Sequence, residues 1–444
     1  MKKINALELI ALSVGAIIGW GAFILPGELF IKKIGLLNSV IGLILGALFM
    51  IIIEKSYKYM INNFSIVGGE VGYTYIGFGK NIAFLIGWIL ILAYISIITL
   101  NVTTILLVIE KFFGNILKIG FSYSMGGSHI YFLEIIVMTI IILFFSYCNM
   151  RGLKYSAKIQ NIMVIILVVV VFGMMLIAIT NTNLDKSLMY NQLEINKKNL
   201  NIKGILKIIA ISPWAYVGFD TVTQVITEMK IKKRKIAILT EIAIILGCFI
   251  YITLILLTGI NYNREMLTVG NIIWATGSSV QKIFGEQGVI ILGVSLLMAV
   301  TAGINGFFMV TIKLIKNMIE INLISKSFIK YKKGVVFLIA IVVLIISCMG
   351  KNLLLWMTEI SSLGAALGYL LTCLTVIKVS YKTKERKVFV LSLIGAILSL
   401  FFCILLLLPG LDSSLTIYSS IILGIWIVLG FFLHFIKIFK EEIE

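Results

Sequence analysis

The sequence predicts an all-α integral membrane protein with twelve transmembrane helices. Three observations support this fold class: the composition, a series of long apolar runs, and matching interruptions in two of these runs. Of the 444 residues, 60% are hydrophobic and only 13% are charged, and the mean hydropathy is +1.10. Soluble domains carry about a quarter charged residues. The composition is therefore that of a chain that lies largely in lipid.

Apolar runs of about 20 residues, the length that crosses a bilayer as a helix, follow one another along the whole chain. The connectors between them leave no room for a soluble domain. Residues 62–81 are predicted to be a glycine-rich inner connector, and residues 261–288 have an apolar spacing that favours short interfacial helices. The predicted spans, numbered 1 to 12, are residues 8–31, 37–61, 82–109, 130–148, 156–180, 203–227, 236–260, 288–318, 334–349, 353–379, 387–409 and 416–438.

Basic residues orient these spans. Most of the 38 Lys and Arg residues fall in connectors on the side of the amino terminus, for example "KIKKRK" (230–235) and "SKSFIKYKK" (325–333). Because Lys and Arg accumulate on the cytoplasmic side, both termini are predicted to be cytoplasmic, in a bacterial-type inner (plasma) membrane. The net charge of +18 forms no single patch, so we expect membrane lipids and no nucleic acid as partners.

Several chemistries are poorly supported by the residue types. The five cysteines lie singly, without paired spacing, and there are only two histidines, which argues against a disulfide framework, a structural metal or haem. The chain has no glycine-rich loop ending in Gly-Lys-Ser or Gly-Lys-Thr, and nothing resembles a Ser/His pair. We therefore expect no enzyme activity, no cofactor and no bound metal, apart from a proton or sodium ion used for coupling.

Spans 1 and 6 carry residues that break helices. Gly19, Gly21 and Pro26 lie within "SVGAIIGWGAFILPG", and Pro213 and Gly218 lie within "ISPWAYVGFD". Each span begins a five-helix block, and an odd number of crossings gives the two blocks opposite orientations. Paired breaks of this kind are typical of transporters built from inverted repeats, whose binding site lies at the breaks. Close helix packing and simple proline kinks are the alternative explanation.

Five motifs in register resemble the amino acid-polyamine-organocation (APC) superfamily of permeases. They are "GAIIGWGAFILPG", "WAYVGFDTVTQVITEMK", "IVGGEVGYTYIGFG" ahead of "IGWILILAY", "NMRGLKYSAKIQNIMV" and "GINGFFMVTIKLIKNM", and they cover roughly residues 8–380. The resemblance implies a leucine-transporter-like core in residues 1–380, with inverted repeats at about 8–180 and 203–379. Residues 381–444 would add two transmembrane helices and a short cytoplasmic tail.

The function that this resemblance implies is secondary active transport of amino acids or related amines by alternating access, with ion-coupled symport as the expected mode. An exchanger of amino acids or polyamines is one alternative. A sensor that uses a transporter fold without turnover is another. The sequence leaves open the substrate, the direction, the coupling ion and the oligomeric state.

The resemblance also implies how the substrate is held. Backbone at the break in span 1 would bind its carboxylate, and backbone at the break in span 6 would bind its amino group and side chain, which agrees with the free amides and carbonyls of helix ends. On span 3, Tyr94 and Asn101 share a helical face that could line the same pocket, or bond a neighbouring helix instead. The predicted contacts at the breaks are Ile18, Gly19, Trp20, Gly21, Trp214, Val217 and Gly218.

Coupling and gating residues are predicted from the polar groups within the spans. Asp220 lies inside span 6, where burial disfavours the charged form and would make it a proton carrier; a structural carboxylate bonded to nearby amides is the alternative. Glu228 is predicted to lie at the inner gate or in solvent. Thr301 and Asn305 share a face of span 8 that could form a cation site with span 1, or bond another helix.

Two departures from the family pattern bear on these predictions. Trp20 stands where relatives often have a small polar residue, which changes the shape of the pocket. The lysine that some proton-coupled relatives carry on span 5 would align near Leu167 and is absent. The first departure concerns the substrate, and the second concerns the coupling ion.

Overall fold

The computed structural model describes residues 4–441 except 65, 126–127, 197–198, 271, 273, 326–332, 351–352 and 412–413. The basic segment 325–333 that helped to orient the spans therefore lies mainly outside the described residues. The first half of the chain contains α1 (Ala6–Ile17), α2 (Trp20–Leu25), a π-helical turn (Pro26–Ile34), α3 (Leu36–Asn63), α4 (Gly69–Phe78), α5 (Lys80–Phe113), a 3-10 turn (Gly114–Leu117), β1 (Ser122–Met125), β2 (Ser128–Tyr131), α6 (Phe132–Met150), α7 (Leu153–Thr180) and α8 (Ser187–Leu193).

The second half contains helices of similar character. They are α9 (Ile202–Ala215), α10 (Thr221–Gln224), a 3-10 turn (Ile226–Glu228), α11 (Lys233–Gly259), α12 (Arg264–Val269), α13 (Ala275–Glu320), α14 (Gly334–Ser347), α15 (Leu353–Thr383), α16 (Arg386–Leu407) and α17 (Ile417–Glu441). Each predicted span coincides with one helix or with a broken pair of helices.

The structure is that of a multi-pass helical membrane protein. Within the described ranges, nine helices are long and apolar enough to cross a membrane, and the bent pair Ala6–Ile17 and Trp20–Ile34 makes a tenth candidate. The two helices α9 and α14 are each 14 residues long and fall short of that length. Burial distinguishes the central helices from the peripheral ones, because 83% of the apolar window of α5 is buried and only 11% of that of α17.

The predicted inner connector 62–81 contains a helix, α4, formed by residues Gly69–Phe78. Its glycines are poor helix formers, so the sequence favoured a loop. In the fold, α4 buries Glu70, Val71 and Tyr73 completely or nearly so, and this burial outweighs the weak local propensity. Helix α4 thereby brings a carboxylate into the interior.

The outer connectors also contain structure. Strand β1 (Ser122–Met125) pairs with β2 (Ser128–Tyr131) in antiparallel orientation, which the sequence did not predict. The short helix expected within residues 261–288 is present as α12. Helix α13 begins at Ala275, well before predicted span 8, and Gly285 interrupts it with φ 69° and ψ −167°.

Candidate functional site

The backbone of span 1 leaves the helix at Ile18 and Gly19. Ile18 donates its N–H to the carbonyl of Val14 and adopts φ −96° and ψ 108°; Gly19 follows in extended backbone, and α2 begins at Trp20. The helical segments on either side meet at an angle of 53°. Because the last carbonyls of one helix and the first N–H groups of the next lack helical partners, both kinds of group are free at this point.

The backbone of span 6 leaves the helix between Ala215 and Thr221. Gly218 lies in this gap with φ +129°, a conformation that favours glycine. A β-carbon built on Gly218 would come within 2.6 Å of the β-carbon of Ala16. The gap in span 6 therefore lies directly against the end of α1, and the two interruptions are neighbours in space.

Trp20 and Trp214, both predicted to contact the substrate, lie next to each other beside these gaps. The rings of Trp20 and Trp214 have centroids 6.1 Å apart, and a β-carbon on Gly21 would lie 2.2 Å from Cη2 of Trp214. Gly21 is thus required for the close approach of Trp214. The Nε1 donor of Trp20 is buried and has no hydrogen-bond partner among the described residues.

Asn101 of α5 reaches the gap in span 1. Its side chain is 2% exposed, and its Nδ2 donates to the carbonyl of Ile97 at 2.9 Å. Its Oδ1 lies 3.1 Å from the place of a β-carbon on Gly19 and has no hydrogen-bond partner in the part of the chain that the structure describes. The gap is therefore flanked by one buried unpaired acceptor, on Asn101, and one buried unpaired donor, on Trp20.

Tyr94, predicted to share the pocket face with Asn101, contacts Asp220 instead. Its hydroxyl donates to Oδ2 of Asp220 at 2.9 Å, while Oδ1 accepts the N–H of Gly218 at 2.7 Å. Asp220 is completely buried. Both of its oxygens are thus bonded, one to the gap in span 6 and one to α5, so this carboxylate fixes the conformation of the gap.

The structure places a second carboxylate near Asp220 that sequence reasoning missed. Glu70 of α4 is completely buried and accepts hydrogen bonds from the hydroxyl of Tyr57 at 3.1 Å and from Nε2 of Gln224 at 2.8 Å. Because residues 62–81 were expected to be an inner connector between spans 2 and 3, Glu70 was not considered a candidate site residue. An acidic residue between glycines and apolar residues in "IVGGEVGYTY" was the available signal.

The two polar residues predicted on span 8 have different surroundings. The hydroxyl of Thr301 donates to the carbonyl of Leu297 in its own helix at 2.6 Å. Asn305 donates to Oε1 of Gln160 at 2.8 Å and accepts from Nδ2 of Asn149 at 3.2 Å. Asn305 thus connects α13 to α7 and α6.

Gln160 is a further residue that sequence reasoning missed. It is completely buried, and its Nε2 donates to the carbonyl of Ala302 at 3.0 Å and lies 3.5 Å from the carbonyl of Ala11. The amide therefore bridges carbonyls of α1 and α13, the pair of spans between which a cation site was predicted. Leu167, seven residues further along α7, is buried and apolar.

Polar contacts join several helix ends near the start of α1. The carboxylate of Glu228 pairs with Nζ of Lys313 at 3.0 Å, and Glu8 pairs with Lys154. Ile4 forms a parallel bridge with Met229, donating its N–H to the carbonyl of Glu228 at 2.9 Å. The start of α1 is thereby fastened to the segment after span 6.

Comparison with known proteins places these motifs in a family. The family profile described as "Amino acid permease" matches residues 4–432. The chain is 28% identical over 270 residues to "Cationic amino acid transporter 4, vacuolar" of Arabidopsis thaliana, which is 57% of this chain and 42% of that protein. It is 24% identical over 314 residues to the methylthioribose transporter of Bacillus subtilis (strain 168), covering 68% of this chain and 63% of that protein.

A third relative is the branched-chain amino acid permease BcaP of Bacillus subtilis (strain 168), 25% identical over 237 residues, which is 52% of this chain and 48% of that protein. The matched regions span between about two fifths and two thirds of the length of these relatives. All three are named as transporters, and the resemblance drawn from the five motifs is confirmed. Since the profile covers nearly the whole chain, the protein belongs to the amino acid permease family of the APC superfamily.

Proposed function

We propose that the protein is a secondary active permease that binds amino acids or related amines at the paired gaps of spans 1 and 6 and moves them by alternating access. The observation that carries this proposal is the contact between the two gaps, where Gly218 touches Ala16 and an unpaired acceptor of Asn101 faces Gly19. Buried polar atoms without partners are costly. A substrate that bonds them would remove this cost.

The chemistry of the gaps suits a zwitterion. The helical segment Trp20–Ile34 begins at the gap, and its free N–H groups and positive dipole end favour a carboxylate. The carbonyls at the end of α1, together with Oδ1 of Asn101, favour an ammonium group. Trp20 and Trp214 offer aromatic faces to the side chain of the substrate, and a cationic side chain would gain from them.

The finer architecture belongs to this proposal. With ten candidate spans, the short helix α14 and the pair α9 and α10 would complete twelve crossings. Two inverted repeats, residues 8–180 and 203–379, would form the core, with α16 and α17 outside it. The basic connectors favour cytoplasmic termini and a plasma membrane location.

Ion-coupled symport is the proposed mode, with Asp220 linking proton movement to the rearrangement of span 6. A sodium ion near Thr301 is the lesser alternative, and amino acid exchange and substrate sensing without transport are the others. The relatives are named for a cationic amino acid, methylthioribose and branched-chain amino acids. Because these compounds share no charge class, their names do not select a substrate for this chain.

Transport by purified protein in liposomes tests the proposal. Labelled amino acids and amines are screened for accumulation with and without proton and sodium gradients, and for exchange against internal unlabelled substrate. We expect at least one amino acid to accumulate or exchange. Analogues of it with a capped amino or carboxyl group should fail to compete, because the backbone contacts need both groups. The absence of accumulation and exchange would favour the sensor, and equal competition by capped analogues would exclude recognition of the amino acid backbone.

A further inference from the structure

Glu70 and Asp220 lie in one buried cluster beneath the gap in span 6. The start of α4 packs closely on α10, since a β-carbon on Gly69 would lie 2.2 Å from Oγ1 of Thr223 and 2.7 Å from Nε2 of Gln224. Both carboxylates have no exposed surface. Gln224, four residues after Asp220, donates to Glu70 at 2.8 Å, and the charge of Asp220 acts on Glu70.

The hydrogen-bond donors to the two carboxylates are all neutral. Glu70 accepts from the hydroxyl of Tyr57 and the amide of Gln224, and Asp220 accepts from the hydroxyl of Tyr94 and a backbone N–H. These bonds orient the carboxyl groups but supply no positive charge. The cluster therefore differs from a buried ion pair, in which a Lys or Arg compensates the carboxylate.

Four of the helices that pack on the cluster each contribute a tyrosine to it. In the described part of the chain, the titratable neighbours are Tyr57 of α3, Tyr73 of α4, Tyr94 of α5 and Tyr369 of α15. From α13, Asn317 reaches the cluster and donates to the carbonyl of Gln224 at 3.0 Å.

Four basic side chains on these helices are bound elsewhere. Lys378 of α15 donates to the carbonyl of Gly77 near the far end of α4, and Lys313 of α13 pairs with Glu228. Lys55 and Lys58 of α3 both pair with Glu241.

Tyr369 provides independent evidence that the cluster has an unused hydrogen-bonding position. Its ring packs on Tyr57 and Phe219, with centroids 6.2 and 5.2 Å away, and it acts electrostatically on both carboxylates. Its hydroxyl is buried and has no hydrogen-bond partner among the residues described. The adjacent Gly368 touches Glu70, because a β-carbon there would lie 3.4 Å from Cγ of Glu70.

Elementary electrostatics limits the charge that this cluster can carry. Two ionised carboxylates without a compensating cation would be strongly disfavoured, both by loss of hydration and by mutual repulsion. Burial, followed by the charge of Asp220, raises the pKa of Glu70 on the connector helix α4 well above the ordinary carboxyl value. Two such groups titrate as a pair rather than separately.

We propose that Glu70 and Asp220 form a proton-binding carboxyl pair, which holds one proton between them while the cytoplasmic end of the protein is closed. Release converts one carboxylic acid and one carboxylate into two carboxylates, and the proton passes to water. The binding of this proton is independent of transport. The use of this proton in coupling rests on the proposed function. In that function, Glu70 would act together with Asp220 as a second proton-binding residue.

Infrared titration of the purified full-length protein tests proton binding directly. We expect a carbonyl band of a protonated carboxylic acid near neutral pH that fades as the pH is raised. Compared with the wild type, the band should lose intensity in Glu70→Gln and in Asp220→Asn, because one amide and one carboxylate already give the cluster a single negative charge. Glu286→Gln, at an exposed position, should keep the wild-type intensity. An unchanged intensity in both pair variants would overturn the proposal, as would a loss of the band on addition of sodium chloride at constant pH, which would indicate a sodium site.

Liposome transport separates this inference from the proposed function. Exchange of labelled substrate in the wild type and in Glu286→Gln reports transport itself. In Glu70→Gln we expect exchange to continue while accumulation driven by a pH gradient falls at least tenfold. If Glu70→Gln does not fold, Glu70→Met, which has a similar length and no charge, serves the same purpose. Unchanged gradient-driven accumulation in a folded pair variant would overturn the role of the pair in coupling, and absent wild-type exchange would overturn the proposed function while leaving the infrared result to decide proton binding.

Discussion

Gly218 lies directly against Ala16, so the gap in span 6 and the end of α1 are in van der Waals contact. A β-carbon on Gly218 would come within 2.6 Å of the β-carbon of Ala16 and within 2.8 Å of the backbone nitrogen of Ile17. With φ +129°, Gly218 also has a backbone conformation that other residues adopt only under strain. The geometry of the candidate substrate site therefore depends on this one glycine.

Gly218→Ala is expected to disrupt this contact. The backbone strain of about 1–2 kcal/mol adds to an overlap with backbone atoms that cannot move aside cheaply, so we expect a lower melting temperature and at least a tenfold loss of substrate binding. Thermal unfolding in detergent and equilibrium binding measure the two effects. Gly173→Ala on α7 is the matched control, because a β-carbon there meets nothing within 4 Å. Binding that survives in Gly218→Ala would show that the site does not need this contact.

Asn101→Leu removes the unpaired acceptor at Gly19 while keeping a side chain of similar size. If Oδ1 bonds the ammonium group of the substrate, its loss should cost about 1–3 kcal/mol, which corresponds to a rise in Kd of roughly five- to a hundredfold. Isothermal titration with the best substrate measures this change.

The control for Asn101→Leu is Thr104→Val on the same helix, whose hydroxyl donates to the carbonyl of Leu100. It should bind substrate as the wild type does. An unchanged Kd in Asn101→Leu would show that Asn101 does not bind the substrate.

Gln160→Leu tests the amide bridge between α1, α7 and α13. The change leaves the carbonyl of Ala302 and the Nδ2 donor of Asn305 without one partner each, and buried unsatisfied groups cost about 1–3 kcal/mol apiece. We expect a marked fall in melting temperature and in transport. Gln281→Leu, at an exposed position, should have little effect on either. A stable and active Gln160→Leu would mean that the bridge is dispensable.

Charge reversal at Glu228 and Lys313 tests whether their ion pair holds the proposed inner gate closed. Both side chains are partly exposed, at 28% and 18%, so the pair contributes about 1 kcal/mol or less. Either single reversal should favour opening toward the cytoplasm and change the apparent substrate affinity by up to about fivefold. The double variant E228K/K313E should restore the wild-type value.

Reversal of the outer pair Glu110 and Lys118 serves as the control for the gate, since these residues lie at the opposite end of α5 from the cytoplasm in the proposed topology. It should leave substrate affinity unchanged. Additive effects in the double variant E228K/K313E, without rescue, would show that the ion pair does not hold the gate.

The helices themselves were predictable from sequence. Apolar runs of membrane-crossing length leave the backbone no alternative to helical hydrogen bonds, and every predicted span has a helix or a broken pair at its place. Helix α4 and the hairpin of β1 and β2 were not predictable. Their residues have weak local preferences, and α4 forms because distant parts of the chain cover it.

In the candidate site, too, some features were predictable from sequence and others were not. Glycines in span 1 and span 6 indicated where the chain would leave the helix, and the five motifs identified the family, because both depend on residues close together in sequence. The partners of the polar side chains depend on packing. Tyr94 bonds Asp220, 126 residues away, and Asn305 bonds Gln160, 145 residues away.

The sequence by itself thus determined the membrane-embedded helices, the places of the two gaps and the family, since hydropathy and backbone propensity act locally. Only the tertiary structure decided that Asn101 faces Gly19 with a free oxygen and that Glu70 joins Asp220 in a buried pair. These contacts arise where separate helices meet. The free energy of a buried polar group depends on which neighbours supply its hydrogen bonds and charges, and that choice is made by the packing of the whole chain.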